Sequence, residues 1–210
     1  MAYFPFFIDL EQVPGLVVGG GQVALRKIEK LLDYGPALTV VAPEILPEIA
    51  AMPTVKTLRR AFLPADLDMT AFVIAATNCC VLNSEIARLC RQKRILVNAV
   101  DEKENCTFLF PALVKRGHLS IGISTGGASP SAAAYLKNEI AGLLPEQTQE
   151  ILVFLETARP ILKKRYESDK QMGASVLTAL WQACLAKGGA LSPHETEQWL
   201  CQYEKERRQE

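Results

Sequence analysis

The first half of the chain alternates short apolar runs with segments of helical character. The apolar runs fall at residues 16–18, 38–42, 55–60, 72–76 and 95–100, and the helical segments at 23–34, 45–51 and 82–93. Continuously apolar strands separated by helices indicate a parallel sheet that is covered on both faces. The alternating run at 55–60 is expected nearer the sheet edge. We therefore predict an α/β fold with a doubly wound, Rossmann-type sheet.

A glycine triplet stands where the first strand turns into the first helix. Gly19, Gly21 and Ala24 fill a G-x-G-x-x-G/A pattern, which lets a pyrophosphate approach the backbone and the positive end of a helix. A tight turn without a ligand is the alternative. The parallel sheet is the setting that the nucleotide motif requires, so we predict a dinucleotide site.

Ligands of open parallel sheets bind outside the carboxyl ends of the strands. Four positions fall there: residues 19–23, the pair Pro43 and Glu44, residues 76–78, and Asp101. Glu44 lies near the spacing expected for the acid that holds a ribose, but it follows Pro43, so an exposed loop acid is an equal alternative. The absence of Arg or Lys directly after the second strand favours NAD over NADP.

A polar pair closes the fifth predicted strand. Asn98 and Asp101 end a buried run, and a carboxylate there can be partly desolvated, which suits a general base. A helix or turn cap is the alternative for Asp101.

The pattern changes after about residue 106. Strand-like runs at 108–115 and 119–124 are joined by too few residues for a helix, so they predict a hairpin. Ser129 and Pro130 then predict a helix start, with Ser129 as N-cap. The glycines and hydroxyls before it could bind a carboxylate or phosphate, a plain capped turn being the alternative. These residues are Ser124, Thr125, Gly126, Gly127 and Ser129, and together with Asn98 they are the predicted substrate contacts.

The rest of the chain has only helical patterns. From residue 146 we expect helices that break at Pro160, Gly173 and the pair Gly188–Gly189. The predicted parts are an NAD-binding domain at 1–112, a small α+β segment at 113–145 and a helical domain at 146–210.

Composition excludes several classes of protein. The 23 basic and 23 acidic residues give no net charge, which argues against nucleic-acid binding. No apolar run is long enough to span a membrane, and the first residues lack the basic character of a secretory signal. Six cysteines without a C-x-x-C pair, and only two histidines, give no metal-ligand pattern. Reduced thiols in a cytoplasmic protein are expected.

Six ordered segments resemble those of precorrin-2 dehydrogenase, the N-terminal module of siroheme synthase, and the resemblance covers about residues 1–145. They read FFIDL at residue 6, VGGGQVA at 18, AATN at 75, VNAVD at 97, FLFPA at 108 and STGGASP at 124. The resemblance implies a homodimer that uses segment 113–145 for dimerisation. It also implies an enzyme that oxidises the tetrapyrrole precorrin-2 to sirohydrochlorin with NAD as cofactor.

The resemblance also implies roles for individual residues. Gln22, Val23, Pro43, Glu44 and the Thr77 region would contact NAD, and Asp101 would be the general base or would assist metal insertion. Some members of the family also insert Fe²⁺, so a bifunctional ferrochelatase is one alternative. A Rossmann-type protein that senses NAD without chemistry is the other.

Overall fold

The computed structural model describes residues 3–100 and 102–207. The chain divides between Phe110 and Pro111 into two compact units. Each unit has its own secondary structure and its own core. No helix in the described ranges is long and apolar enough to cross a membrane.

The first unit is built on a five-stranded sheet whose strands all run parallel. The order is β3-β2-β1-β4-β5, so β1 is central and β3 and β5 are the edges. The strands are β1 Pro14–Val18, β2 Ala37–Val41, β3 Val55–Leu58, β4 Phe72–Ala75 and β5 Leu96–Ala99; the helices are α1 Gln22–Leu32, α2 Pro47–Ala50 and α3 Cys80–Lys93. The predicted α/β fold with a parallel, Rossmann-type sheet is confirmed, and β3 lies at an edge as expected.

Side-chain alternation along these strands creates a core on each face of the sheet. Val17 faces α1 and α2 on one side, while Leu16 and Val18 face α3 on the other. Because both faces are covered, the central strands β1 and β4 carry no polar side chain. In the register, Val17 lies opposite Val40 of β2 and Ile74 of β4, and all three are fully buried.

The second unit begins with a hairpin and continues as helices. The hairpin pairs β6 Ala112–Arg116 with β7 Leu119–Ile123 in antiparallel register, and Gly117 adopts a positive φ of 56° in its turn. The helices are α4 Pro130–Leu143, α5 Thr148–Arg165, α6 Lys170–Lys187 and α7 Pro193–Arg207. The predicted hairpin and the predicted helix start at Pro130 are both observed.

Two of the three predicted helix breaks are wrong. Pro160 lies inside α5, where the buried residues Ala158 and Leu162 on either side of it pack into the helical core. Tertiary packing thus outweighs the missing proline N–H. Gly173 lies in the first turn of α6, where a Cβ would stand 3.3 Å from the Cβ of Tyr166. Only Gly188 ends a helix, with a φ of 81°.

None of the six cysteines forms a disulfide. Cys79, Cys80 and Cys201 are exposed. Cys90 and Cys106 are buried in the first unit, and Cys184 is buried in the second. Burial raises the pKa of the Cys90 thiol to about 11.

Pro160→Ala is expected to stabilise the second unit. Alanine restores a backbone donor in an exposed helical position, a gain of about 3 kcal/mol that is reduced by about 1 kcal/mol because proline also restricts the unfolded chain. Urea unfolding followed by tryptophan fluorescence measures this unit alone, since Trp181 and Trp199 both lie in it. Arg159→Ala, the neighbouring exposed change, should shift the midpoint little; an equal shift in both variants would refute the explanation.

Candidate dinucleotide site

The β1–α1 turn brings three strand ends together. Gly19 has a φ of 121°, and its N–H donates to the C=O of Val41 at the end of β2, at 3.0 Å. A Cβ on Gly19 would stand 2.2 Å from the Ala76 oxygen that follows β4. Only glycine permits both the dihedral angle and this approach.

Gly20 makes a second close approach on the other side of the turn. A Cβ there would stand 2.3 Å from the backbone oxygen of Glu44, and the Gly20 C=O accepts from the N–H of Leu46 at 2.9 Å. The loop after β2 is therefore held against the glycine turn. Pro43 and Glu44, both exposed, lie in that loop, so the structure brings these two predicted cofactor residues to the turn.

Gly21 faces open space and begins α1. Apart from Gly21 itself and its two chain neighbours, no heavy atom of the described residues lies within 4 Å of the position that its Cβ would take, and Gly21 is the N-cap of the helix. Within the described residues, the backbone N–H groups of Gln22, Val23 and Ala24 donate to no acceptor. A clear approach to unpaired donors at a helix start fits the pyrophosphate of a dinucleotide.

The strand order makes this turn the place where the connections diverge. From β1 the chain crosses to β2 and then to β3 on one side of the sheet. It then returns to β4 and β5, which lie on the other side of β1. A crevice at such a switch point is where ligands of open α/β sheets bind.

Thr77, after β4, is fixed by a residue that sequence reasoning missed. Asn83 of α3 is only 3 % exposed; its Oδ1 accepts from the Thr77 N–H and hydroxyl at 3.1 and 2.7 Å, and its Nδ2 donates to the Thr77 C=O at 3.1 Å. A polar asparagine on the buried face of the predicted helix 82–93 could have indicated that it holds a neighbouring segment. Thr77 itself is half-buried.

Asn98, near the end of β5, is buried and hydrogen-bonded. Its Oδ1 accepts from Lys27 Nζ of α1 at 2.8 Å, and its Nδ2 donates to the Phe108 C=O at 3.0 Å. The same ammonium group lies 4.3 Å from the ring centroid of Phe110. Asp101, the predicted general base, lies outside the described residues, so its role stays a prediction.

Segment 124–130, in the second unit, forms an ordered turn before α4. Thr125 Oγ1 accepts from the Ser129 N–H, Ser124 Oγ accepts from the Gly126 N–H, and Ser129 Oγ caps the helix at the Ala132 N–H, at 3.1–3.2 Å. The predicted N-cap is confirmed. Gly126 and Gly127 both adopt positive φ, 61° and 83°. Their contact with substrate stays a prediction.

No cluster of three or more His, Cys, Asp or Glu side chains that could hold a metal ion occurs among residues 3–100 and 102–207.

The sheet and its open glycine turn define the chain as a dinucleotide-binding α/β protein. Comparison with known proteins agrees: an NAD(P)-binding family model matches residues 6–112, and a model of the central region of sirohaem biosynthesis proteins matches residues 116–143. The chain belongs to this NAD(P)-binding family, which confirms the predicted class of cofactor.

Curated relatives carry the name siroheme synthase. One from Zymomonas mobilis is 36 % identical over 173 residues, which are 81 % of this chain and 37 % of that protein. Another, siroheme synthase 1 from Aeromonas salmonicida, is 36 % identical over 203 residues, 93 % of this chain and 43 % of the relative. The chain thus spans less than half the length of these relatives.

A solved structure matches nearly the whole length of the chain. It is named SirC, precorrin-2 dehydrogenase, and superposes with a TM-score of 0.73 at 29 % identity, covering 97 % of this chain and 100 % of the other. The resemblance predicted from the six sequence segments is confirmed.

Two glycines of the turn should respond differently to alanine. Gly19→Ala is expected to lose about 3 kcal/mol of stability, because a Cβ would be strained and would collide with Ala76. Gly21→Ala should change stability by less than about 1 kcal/mol, yet weaken NAD⁺ binding roughly tenfold by narrowing the approach to the N–H groups. Thermal unfolding and calorimetric titration measure the two effects.

Gly142→Ala, in open space within α4, is the matched control and should retain full NAD⁺ affinity. Unchanged NAD⁺ affinity in Gly21→Ala would mean that the pyrophosphate does not approach here.

Asn83→Leu should destabilise the Thr77 loop. Leucine preserves the buried volume but leaves the Thr77 N–H and C=O without their partners, which costs about 2 kcal/mol. Hydrogen exchange of residues 76–79 is expected to accelerate. Val81→Ala, an exposed change in the same helix, should leave that exchange as it is, and the idea fails if both variants exchange alike.

Proposed function

We propose that the chain is an NAD-dependent dehydrogenase that oxidises precorrin-2 to sirohydrochlorin. The observation that carries this proposal is the match, over essentially the full length of both chains, to a structure named precorrin-2 dehydrogenase. The open glycine turn at the centre of the sheet supports it, since the reaction needs a bound dinucleotide.

Different residues of the first unit would contact different parts of NAD. The N–H groups of Gln22 and Val23, approached across Gly21, would bind the pyrophosphate. Pro43 and Glu44 would border the adenosine side, and Thr77, held by Asn83, the nicotinamide side. When bound, NAD⁺ supplies the hydride acceptor.

Oxidation of the macrocycle removes one hydride and one proton. The hydride leaves with the cofactor as NADH, and Asp101 would accept the proton as general base. We assign this role to Asp101 from the family resemblance and from its place in the sequence after β5.

The substrate is an acidic tetrapyrrole with many carboxylates. The backbone N–H group of Gly127 and the positive start of α4 are suited to bind one of them. The hydroxyls of Ser124, Thr125 and Ser129 hold that turn in shape, and they would contact substrate through their remaining hydrogen-bonding capacity.

We also propose a homodimer formed through segment 113–145, located in the cytoplasm. Tyr135 and Leu143 of α4 are 63 % and 81 % exposed, an apolar surface that a second copy could cover. The exposed thiols of Cys79, Cys80 and Cys201 suit a reducing compartment.

The unmodified protein should form NADH from precorrin-2 and NAD⁺, and the absorbance of NADH measures the reaction. Asp101→Asn should lower kcat by about 10² to 10⁴, because the amide cannot accept the proton. NAD⁺ affinity should remain. Asp68→Asn, an exposed aspartate paired with Lys93, is the control and should retain full activity.

The same assay distinguishes the alternatives. NAD⁺ binding without NADH formation would contradict the dehydrogenase and support a sensing role. Sirohydrochlorin and Fe²⁺, followed through the macrocycle spectrum, test whether the chain also inserts iron. If Asp101→Asn is as fast as the unmodified protein, Asp101 is not the general base.

A further inference from the structure

Asn98 is the buried polar residue of β5. It is 5 % exposed, and both ends of its amide are hydrogen-bonded: the oxygen accepts from Lys27, and the nitrogen donates to the Phe108 C=O. A macrocycle carboxylate would have to displace these partners in order to reach it. The geometry therefore favours a role within the protein over the direct substrate contact predicted from the sequence.

Lys27 connects Asn98 to the cofactor helix. It is the sixth residue of α1, the helix whose first N–H groups would bind the dinucleotide, and its half-buried stem carries the ammonium group to within 2.8 Å of Asn98 Oδ1. The ring of Phe110, 4.3 Å from the ammonium group, offers a second favourable contact. One side chain thus joins α1, β5 and the segment that follows β5.

We propose that Lys27 is a positioning residue that holds the carboxyl end of β5 at a fixed place relative to α1. The inference rests on the proposed function. Asp101 follows Asn98 by three residues in the sequence, so the pair would set the dinucleotide and the general base at a constant separation.

The choice of residue types supports a positioning role. A lysine and an asparagine at this depth lose hydration, and an apolar pair of similar volume would give comparable stability. A hydrogen-bonded pair has only one productive geometry, whereas apolar side chains tolerate sliding. Sub-ångström placement of reacting groups is what hydride and proton transfer require.

Lys27→Met tests the proposal, because it preserves the stem and removes the ammonium group. We expect kcat for precorrin-2 oxidation to fall roughly 10-fold to 100-fold, since the reacting groups lose alignment. The NAD⁺ dissociation constant should change less than about threefold, because the N–H groups of α1 remain. Lys27→Arg, which can still donate to Asn98, should recover most of kcat. Lys30→Met, an exposed lysine on the same helix, is the matched control.

A double-mutant cycle decides whether Lys27 acts through Asn98. If it does, adding Lys27→Met to Asn98→Ala should change kcat less than about twofold. Losses that multiply would show that Lys27 acts independently of Asn98, and they would overturn the proposal. A loss of NAD⁺ affinity without a loss of kcat would overturn it too.

Hydrogen exchange separates this inference from the proposed function. In Lys27→Met, but not in Lys30→Met, backbone amides of residues 96–99 and 107–108 should exchange faster. If the unmodified protein makes no NADH, the dehydrogenase assignment fails. The hydrogen-exchange data would still test whether Lys27 links α1 to β5. Equal exchange in both variants would overturn the positioning role whatever the reaction.

Discussion

The first unit depends on the close approach of three loops around two glycines. Gly19 lies against the backbone that follows β4, and Gly20 against the backbone that follows β2, at separations that a Cβ would make impossible. Because these contacts involve backbone atoms, a larger side chain could not be accommodated by a rotamer change. The loops after β2 and β4 therefore pack against the β1–α1 turn at the carboxyl edge of the sheet. Gly21 is the glycine of that turn that a ligand can approach.

That packing also determines where chemistry can occur. The residues brought to the edge are exposed loop residues such as Pro43 and Glu44 and a half-buried threonine, Thr77, whose backbone is fixed from below by Asn83. The strands beneath contribute chiefly apolar side chains and rigidity. A ligand site of this kind is formed by backbone N–H groups and loops, with the sheet as its support.

Sequence patterns predicted those parts of the fold that depend on local rules. Continuous apolar runs gave the parallel strands, and a serine before a proline gave the start of α4 at Pro130. Pro160 misled because its local cost is smaller than the packing of Ala158 and Leu162 on either side. Lys27 and Asn98 are 71 residues apart, so neither periodicity nor motif spacing could indicate their hydrogen bond.

The buried polar side chains of the first unit hold segments near the carboxyl edge of the sheet. Within the described residues of that unit, Asn83 and Asn98 are the polar side chains that are buried, and each bonds to backbone near the carboxyl edge, at Thr77 and Phe108. Burying an amide costs free energy unless it is hydrogen-bonded, so such residues persist where they hold a segment that regular secondary structure does not. Apolar packing builds the sheet, and these two amides hold the segments around the proposed site.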